Sequence, residues 1–238
     1  MKRAIIVGAS SGIGYELAKI LAEDGYEIGL VARRHGHLLK LQEEIPTKTH
    51  VRPVDVSLIP ETRNAIESII LELGGVDLFI INAGIGFLNP HLEWQHEKDT
   101  IDVNVYGFCA LANLAYRYFT KQGHGHLVGI SSIGALRGNA LAPAYNASKA
   151  FMSNYLEGLQ KRAAREQPQI TVTDIQPGAV HTAMMKGEGH FWIASPKKAA
   201  AQIFNAIRHK KRHAYITKRW RLIAWLLKVM PRCVHEKI

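Results

Sequence analysis

The feature that most constrains the fold is a regular alternation of short apolar runs with segments of helical periodicity. The run Arg3–Val7 is apolar from its second residue onward, as expected for a strand buried on both faces. Because parallel strands need crossover connections, which are usually helices, the alternation predicts an α/β domain with helices on both faces of a parallel sheet. The predicted strands are Arg3–Val7, Glu27–Ala32, Thr49–Pro53, Asp77–Ile81, His126–Ser131 and Ile170–Gln176. The predicted helices are Tyr15–Asp24, His37–Glu44, Glu61–Leu73, Glu97–Thr120, Tyr145–Arg165 and Lys197–Arg208.

The positive charge is concentrated near the C-terminus. The 238 residues carry a formal net charge of +10, and residues 208–238 contain ten Lys or Arg side chains but only one acidic residue, Glu236. The overall composition, 47% hydrophobic and 21% charged, is typical of a folded globular protein. We therefore predict one domain over residues 1–207, followed by a basic appendage over residues 208–238.

Residues 215–238 combine bulky apolar side chains with basic ones. Trp220, Ile223, Leu227 and Met230 fall near helical spacing. Such a helix fits an anionic membrane surface, a docking site on its own domain or an oligomer interface, and the sequence leaves these three interpretations open. Because the charge is interleaved with Trp and aliphatic residues, and no nucleic-acid-binding motif is present, we expect no nucleic acid partner.

The expected location is the cytoplasm, with the inner membrane face as an alternative for the tail. No apolar stretch reaches the roughly 20 residues of a spanning helix, and Ala4–Val7 is too short for a secretion signal. Cys109 and Cys233 do not form a disulfide framework, which fits a reducing compartment. The histidines lack metal-ligand spacing, so no metal site is predicted.

A glycine-rich turn follows the first strand. It runs Gly8-Ala9-Ser10-Ser11-Gly12-Ile13-Gly14 and leads into a helix. Glycines let the backbone turn tightly and approach a phosphate, and a helix N-terminus offers free N–H groups to it. Tight turns also need glycine for backbone reasons alone, so the order strand, turn and helix is what indicates a dinucleotide site.

Two arginines end the second strand. An acidic residue at this place would bind the ribose 2′-hydroxyl of NAD, but the chain has Arg33 and Arg34. A guanidinium can bind the 2′-phosphate of NADP with two hydrogen bonds. The alternative is a solvated pair on a loop. The position relative to the turn favours NADP(H) as the cofactor.

Tyr145 and Lys149 lie four residues apart at the start of a predicted helix and so share one face. A free tyrosine titrates near pH 10, and a nearby ammonium favours its ionised form, which brings the phenol closer to the range useful for acid–base catalysis.

Together these motifs resemble the short-chain dehydrogenase/reductase family. They occur in the family's order over residues 4–182, with Val7 in place of a frequent Thr and Ile81 in place of an Asn. The motifs are Gly8-x-x-x-Gly12-Ile13-Gly14, Asp55, Asn82-Ala83-Gly84, Asn104, Ser131-Ser132, Tyr145-x-x-x-Lys149 and Pro177-Gly178.

The resemblance implies four catalytic residues. Tyr145 is the expected general acid in carbonyl reduction, and Lys149 is expected to bind the nicotinamide ribose and tune Tyr145. Ser132, thirteen residues before Tyr145, is expected to hydrogen-bond the substrate oxygen, whereas Ser131 fits an ordinary strand end. Asn104 is expected to hold a water that links Lys149 to solvent.

The resemblance also implies the cofactor contacts. Asp55, beside Val56, is expected to accept from the adenine amino group. The residues expected to line the adenosine ribose are Asn82, Ala83 and Gly84. Those expected at the nicotinamide end are Pro177, Gly178, Val180 and Thr182.

The implied fold is Rossmann-type, a doubly wound, mainly parallel seven-stranded sheet in a homodimer or homotetramer. The implied function is NADP(H)-dependent hydride transfer between nicotinamide and a carbonyl or secondary alcohol. A non-catalytic NADP(H) sensor is the rival, although it would not need the proton relay. The candidate substrate walls are mostly apolar, and residues 182–194 are predicted to form a lid. These walls are Phe87, Leu88, Leu136, Leu141, Met184, Met185, Phe191 and Trp192.

Overall fold

A single seven-stranded sheet organises the computed structural model, which describes residues 2–166, 169–185 and 191–231. All strand pairs are parallel, in the order β3-β2-β1-β4-β5-β6-β7. The strands are β1 (Lys2–Val7), β2 (Tyr26–Ala32), β3 (Thr49–Pro53), β4 (Leu78–Ile81), β5 (His124–Ile130), β6 (Gln169–Pro177) and β7 (His213–Ile216). The predicted fold class, a doubly wound Rossmann-type sheet, is confirmed.

Helices cover both faces of the sheet. They are α1 (Gly12–Glu23), α2 (His35–Glu44), α3 (Ile59–Leu73), α4 (Trp94–Ile101), α5 (Phe108–Gln122), α6 (Pro143–Arg165), α7 (Pro196–Arg208) and α8 (Trp220–Val229). The apolar sides of α1, α2 and α7 form one core layer with the sheet, and those of α3, α5 and α6 form the other. The central strands are buried on both faces, which explains their continuous apolar sequences.

The strand order places a crevice at the carboxyl ends of β1 and β4. Chain connections from β1 pass to β2 on one side, while β4 lies on the other side, so the direction of winding reverses here. Ligands of open α/β sheets bind at such a switch point. The fold therefore locates the candidate site before any side chain is considered.

The predicted long helix over Glu97–Thr120 is divided by a π-helical turn. The turn covers Asp102–Gly107 and joins α4 to α5. At Gly107 an added Cβ would meet the Val56 carbonyl oxygen at 2.6 Å, so the turn packs tightly on the chain after β3. π-turns occur often at functional sites, and this one contains Asn104.

The seventh strand comes from the segment that the sequence assigned to the appendage. β7 pairs with β6 from Asp174↔His213 to Pro177↔Ile216. The structure thus differs from the predicted boundary at residue 207, because residues 213–216 complete the sheet. Within the three described ranges, no helix is long and apolar enough to cross a membrane.

The chain after β6 forms a loop whose ends are held together. Val180 and Ala194 form a parallel bridge, and the His181 amide donates to the Ala194 carbonyl at 2.9 Å. The predicted lid over residues 182–194 corresponds to this loop, but residues 186–190 lie outside the described part.

His126 on β5 should make stability depend on pH. Its Nε2 lies 2.8 Å from Thr173 Oγ1, which itself donates to the Lys211 carbonyl, so Nε2 carries the proton of the neutral ring. Burial lowers the pKa of His126 to about 4, from an ordinary value of 6.5.

Between these values the unfolded chain binds a proton that the folded chain does not. The free energy of unfolding should therefore fall, by up to about 3 kcal/mol, as the pH drops from 6.5 to 4. Urea unfolding at a series of pH values in this range measures how the free energy of unfolding changes with pH. This change should be smaller for His126→Gln than for the wild type, and the same as in the wild type for His91→Gln, which lies in an exposed loop. An equal pH dependence of the unfolding free energy in all three proteins would contradict the role of His126.

Candidate active site

A cavity of about 760 Å³ occupies the crevice at the carboxyl ends of the strands. This volume is within the range of small-molecule and cofactor sites. All the predicted site residues line it except Gly14 and Asn104, which lie directly behind lining residues. The sequence motifs, which are far apart in the chain, are therefore brought to one site.

The glycine turn is closed too tightly for side chains. Gly8 has φ +93°, and a Cβ there would meet the Ala83 amide nitrogen at 2.5 Å. A Cβ on Gly14 would lie 2.2 Å from the Gly8 carbonyl oxygen, which accepts from Asn82 Nδ2 at 2.8 Å. The turn leads into the N-terminus of α1 at Gly12. This arrangement fits the diphosphate of a dinucleotide, since backbone can approach it and free N–H groups face it.

The basic end of the cavity combines two arginines with two serines. Arg34 Nη2 donates to Ser10 Oγ at 3.0 Å and to Ser11 Oγ at 2.7 Å. Arg33 instead makes an ion pair with Asp55, 3.5 Å between Nη1 and Oδ2. Donors from both guanidinium and hydroxyl groups thus cluster beside the end of β2, where a phosphate group would be well coordinated.

Asp55 is held in its ionised form. Burial alone would raise the pKa of its carboxyl, but hydrogen bonds from the Ser57 amide and hydroxyl and the charge of Arg33 keep the pKa below its usual value. Its Oδ1 accepts from the Ser57 amide at 3.0 Å and from Ser57 Oγ at 2.8 Å. Oδ2 is the atom engaged by Arg33. Asp55 can therefore act as a hydrogen-bond acceptor at this end of the cavity.

Tyr145 and Ser132 face each other across the other end. Burial raises the pKa of the Tyr145 phenol above 10, while a hydrogen bond with the Ser132 hydroxyl opposes this rise. Ser132 Oγ also accepts from the Gly134 amide at 3.0 Å, which fixes its direction at the start of a short 3₁₀ turn. The phenol is therefore protonated at neutral pH, as a proton donor must be.

Lys149 is the only Lys or Arg that is buried in the part of the chain that the structure describes. It is 3% exposed, and its Nζ donates to the Ile130 carbonyl at 3.0 Å. Burial lowers the pKa of Lys149 to about 8, although the charge of Asp174 opposes this. Nζ lies 5.8 Å from the centre of the Tyr145 ring.

The expected lowering of the Tyr145 pKa by the ammonium is not found. Burial dominates that pKa, and the opposing influence comes from Ser132 rather than from Lys149. The reason is geometric, since the ammonium is directed to the Ile130 carbonyl and to Met152 Sδ, 3.6 Å away.

Asn104 is locked in place by the backbone of Ile85. Its Oδ1 accepts from the Ile85 amide at 2.9 Å, and its Nδ2 donates to the Ile85 carbonyl at 2.8 Å and to Ser148 Oγ at 3.0 Å. Asn104 and Lys149 converge at Gly84, where a Cβ would meet Lys149 Nζ at 3.2 Å and Asn104 Oδ1 at 3.3 Å. The water-holding role of Asn104 stays a prediction.

The two adjacent serines point to different places. Ser131 also lines the cavity, but its Oγ donates to Asp174 Oδ1 and to the Ile175 carbonyl. The hydroxyl of Ser132 meets Tyr145 instead. Ser132 is therefore the one of the two serines that contacts the phenol, and its catalytic role stays a prediction.

The chain after β6 closes the same end. Pro177, Gly178, Val180 and Thr182 line the cavity, and Thr182 Cγ2 would lie 3.1 Å from a Cβ on Gly12. The loop therefore reaches across to the glycine turn. Of the candidate substrate walls, those that line the cavity are Phe87, Leu88, Met184 and Met185.

Two contributors were missed at the sequence level. Asp174, buried in β6, accepts from Ser153 Oγ at 2.6 Å and from Gln176 Nε2 at 3.1 Å and acts electrostatically on Lys149. Trp220, at the start of α8, lines the cavity next to Gly178. Asp174 is the one acidic residue of β6, which was a readable signal in the sequence. The role of Trp220 depends on how the C-terminal helix folds back, which no local pattern shows.

The fold and the site together define a Rossmann-type oxidoreductase with a nicotinamide dinucleotide site. A family model described as short chain dehydrogenase matches residues 2–191. The chain belongs to the short-chain dehydrogenase/reductase family, and the resemblance noted in the sequence is confirmed.

Relatives support the same assignment. An "uncharacterized oxidoreductase" of Myxococcus xanthus is 36% identical over 77% of this chain and 74% of that protein. A "Dehydrogenase/reductase SDR family protein 7-like" of Dictyostelium discoideum is 29% identical over 98% of this chain and 79% of its own length. The shared class is therefore that of oxidoreductases.

Solved structures share the fold. A short-chain dehydrogenase from Sphingobium yanoikuyae in complex with NADPH has a TM-score of 0.82 at 21% identity, covering 98% of this chain and 97% of that one. A 3-ketoacyl-(acyl-carrier-protein) reductase from Brucella melitensis complexed with NADH has a TM-score of 0.81 at 23% identity, covering 90% and 96%. These likenesses support the architecture alone.

Proposed function

We propose that the protein is an NADP(H)-dependent oxidoreductase that interconverts a mainly apolar carbonyl compound and its alcohol. The observation that carries this proposal is the convergence of Ser132, Tyr145 and Lys149 at one end of a cavity whose other end holds Arg33 and Arg34. One end can bind a phosphorylated adenosine and the other can move a proton. The distance between them is bridged by the glycine turn and the Asn82–Gly84 segment.

The preference for NADP(H) over NAD(H) rests on the basic end. Arg34 and the hydroxyls of Ser10 and Ser11 already form a connected group of donors. A 2′-phosphate could accept from all three, whereas a bare 2′-hydroxyl would leave the guanidinium charge unpaired. Solved neighbours carry either NADPH or NADH, so the preference for NADP(H) is inferred from these side chains.

The cofactor would supply the hydride, and the chain's own residues would manage the proton and the substrate oxygen. In reduction, Ser132 donates a hydrogen bond to the carbonyl oxygen, and Tyr145 transfers its phenolic proton to that oxygen. With the hydride that the cofactor would supply, this proton would complete the conversion of the carbonyl to an alcohol. Lys149 would hold the nicotinamide ribose, with its Nζ directed to the Ile130 carbonyl and 5.8 Å from the centre of the Tyr145 ring. The proton then returns to Tyr145 through Lys149 and a path beside Asn104.

A non-catalytic NADP(H) sensor is the weaker alternative. Such a protein needs the dinucleotide contacts, including that of Lys149 with the ribose, but has no need for a phenol that shares a hydrogen bond with a serine hydroxyl. Tyr145 has this hydrogen bond with Ser132, and Lys149 and Asn104 meet at the neighbouring Gly84. Retention of the complete proton-transfer group favours catalysis. The family resemblance further leads us to propose a homodimer or homotetramer.

Replacing Tyr145 with Phe should abolish proton transfer and leave cofactor binding intact. We expect kcat/KM for NADPH-dependent reduction of aldehydes and ketones to fall by about 10²–10⁴-fold, the usual contribution of a general acid. NADPH oxidation across a ketone and aldehyde panel measures this, and Tyr106→Phe, on the exposed side of the π-turn, is the matched control. Full activity of the Tyr145→Phe protein would refute the assigned acid.

Replacing Arg34 with Ala should change cofactor choice. Loss of a charge-assisted contact of about 1.5–3 kcal/mol should weaken NADPH binding by roughly 10- to 100-fold and NADH binding by less than about threefold. Calorimetric titration of both cofactors measures this, with Arg63→Ala on the exposed surface of α3 as the control. Equal losses for the two cofactors would remove the argument for a 2′-phosphate site.

We also propose that the outer face of α8 binds an anionic membrane surface. Leu222, Trp225, Leu226 and Val229 are exposed on this helix, with Trp225 66% exposed. Residues 208–231 contain eight Lys or Arg and no acidic residue, while the rest of the chain is nearly balanced in charge. Apolar side chains flanked by basic ones suit the boundary between acyl chains and anionic headgroups.

The packing of α8 on its own domain leaves the outer face of the helix uncovered. Its inner side is already docked, because Ala224 is buried and Arg137 donates to the carbonyls of Leu227 at 2.8 Å and Met230 at 2.9 Å. The four apolar residues of the outer face take no part in this packing and stay exposed. A membrane is favoured over a second protein chain because the flanking charge has one sign.

Flotation tests this membrane proposal. The protein should float with vesicles of phosphatidylcholine plus phosphatidylglycerol and not with phosphatidylcholine alone. Trp225→Ala should reduce the floating fraction several-fold, since a buried Trp makes a large contribution at the interface. Trp94→Ala removes a similarly exposed indole from α4 and should have no effect. If the protein does not float, or floats equally with and without the anionic lipid, the proposal that α8 binds an anionic membrane is rejected.

A further inference from the structure

One side chain of the C-terminal helix reaches the cavity. Trp220 is the first residue of α8, is 8% exposed and lines the cavity. The family model ends at residue 191, so this contribution comes from outside the matched region. A position that the shared motifs do not fix is a natural place for substrate choice to be set.

The indole occupies the space beside Gly178. A Cβ on Gly178 would lie 2.1 Å from Trp220 Cε2 and 2.2 Å from Nε1. The absence of a side chain at residue 178 is therefore what lets the ring approach the backbone there. Because Gly178 lines the cavity next to Pro177, the ring forms a wall at the end where Ser132 and Tyr145 lie.

The same ring anchors the loop after β6. The Phe191 ring stacks on it, with centroids 5.1 Å apart and planes at 25°. Trp192 meets it edge to face at 6.4 Å. Both partners are substantially exposed on their other sides, so Trp220 is the buried member of this aromatic cluster. The indole therefore packs against the described end of this loop.

The indole N–H is left without an acceptor. Among the described residues, five buried side-chain polar atoms lack a partner, and Trp220 Nε1 is the one whose side chain lines the cavity. A buried donor is normally paired, and an unpaired one at a binding site can be satisfied by the ligand. Nε1 lies beside Gly178, which lines the cavity, so we take an oxygen of a bound ligand as the candidate acceptor.

We propose that Trp220 determines substrate specificity, its indole limiting the length of the carbonyl compound and its Nε1–H donating to a second oxygen of that compound. The inference rests on the proposed function. The substrate class it selects is an apolar, often aromatic ketone or aldehyde that carries an ester or similar oxygen near the reacting carbonyl. Trp220 is a positioning residue, and proton transfer remains with Tyr145.

Two variants separate the two roles of the indole. Trp220→Phe keeps an aromatic wall but removes the N–H, and it should raise KM for ethyl benzoylformate by about three- to tenfold, the effect of one hydrogen bond, with little change for acetophenone. Trp220→Ala opens the wall and should raise kcat/KM for 2-acetylnaphthalene relative to acetophenone by at least about fivefold. In both variants the Kd of NADPH should stay within about twofold of the wild type.

Trp94→Phe and Trp94→Ala are the matched controls, because Trp94 is 69% exposed and lies outside the cavity lining. Melting temperatures show whether each variant folds. If Trp220→Ala does not fold, the result for Trp220→Phe alone tests the inference. Unchanged ratios between the three ketones would overturn the inference even in an active enzyme. A wild type that reduces none of these ketones would instead contradict the proposed function. In that case, calorimetry would measure binding of the same ketones to the NADPH-loaded protein and to its Trp220 variants. Affinities that do not depend on residue 220 would overturn the inference.

Discussion

The close contact between the ends of β1 and β4 is the constraint on which the rest of the site depends. The Ala83 amide donates to the Val7 carbonyl at 2.8 Å, and Asn82 Nδ2 donates to the Gly8 carbonyl at 2.8 Å. Both bonds require that Gly8 has no side chain, since a Cβ would overlap the backbone of Ala83. The contact fixes the glycine turn at the switch point, and the turn in turn sets the N-terminus of α1.

A second constraint is the burial of Lys149. An ammonium in the interior is expensive, and the structure offsets this through the Ile130 carbonyl and the charge of Asp174. Asp174 is itself surrounded by donors from Ser131, Ser153 and Gln176. Its backbone amide also donates to the Arg212 carbonyl at 2.9 Å, just before β7. The lysine at the site is therefore supported by the edge of the sheet that the last strand completes.

Much of the fold was predictable because its signals are local. Continuous apolar runs predicted six strands to within about two residues, and the order of short motifs identified the family. The candidate site was predictable for a related reason, since motifs at the ends of parallel strands must meet at one edge of the sheet. Gly8, Asn82 and Pro177 each follow or end a strand and line one cavity.

The remaining features depend on contacts that no local pattern encodes. β7 is four residues long and lies in a basic segment, so its strand character comes from pairing with β6. The π-turn interrupts a sequence with ordinary helical periodicity, because Asn104 bonds to the backbone of Ile85 on another segment. The direction of Lys149 likewise follows from the position of the Ile130 carbonyl. Each is a tertiary effect that overrides local preference.

The division between domain and appendage therefore runs between the two faces of α8 rather than at one residue number. The helix that the sequence assigned to an appendage begins with Trp220 at the cavity wall and has Ala224 buried on the same docked side. Leu222 and Trp225, between and beyond them, remain exposed. A helix of 3.6 residues per turn can serve both environments, because residues four apart share a face while their neighbours point elsewhere. One short helix can thus contribute a side chain to the site while it presents a different, basic and apolar surface to the surroundings.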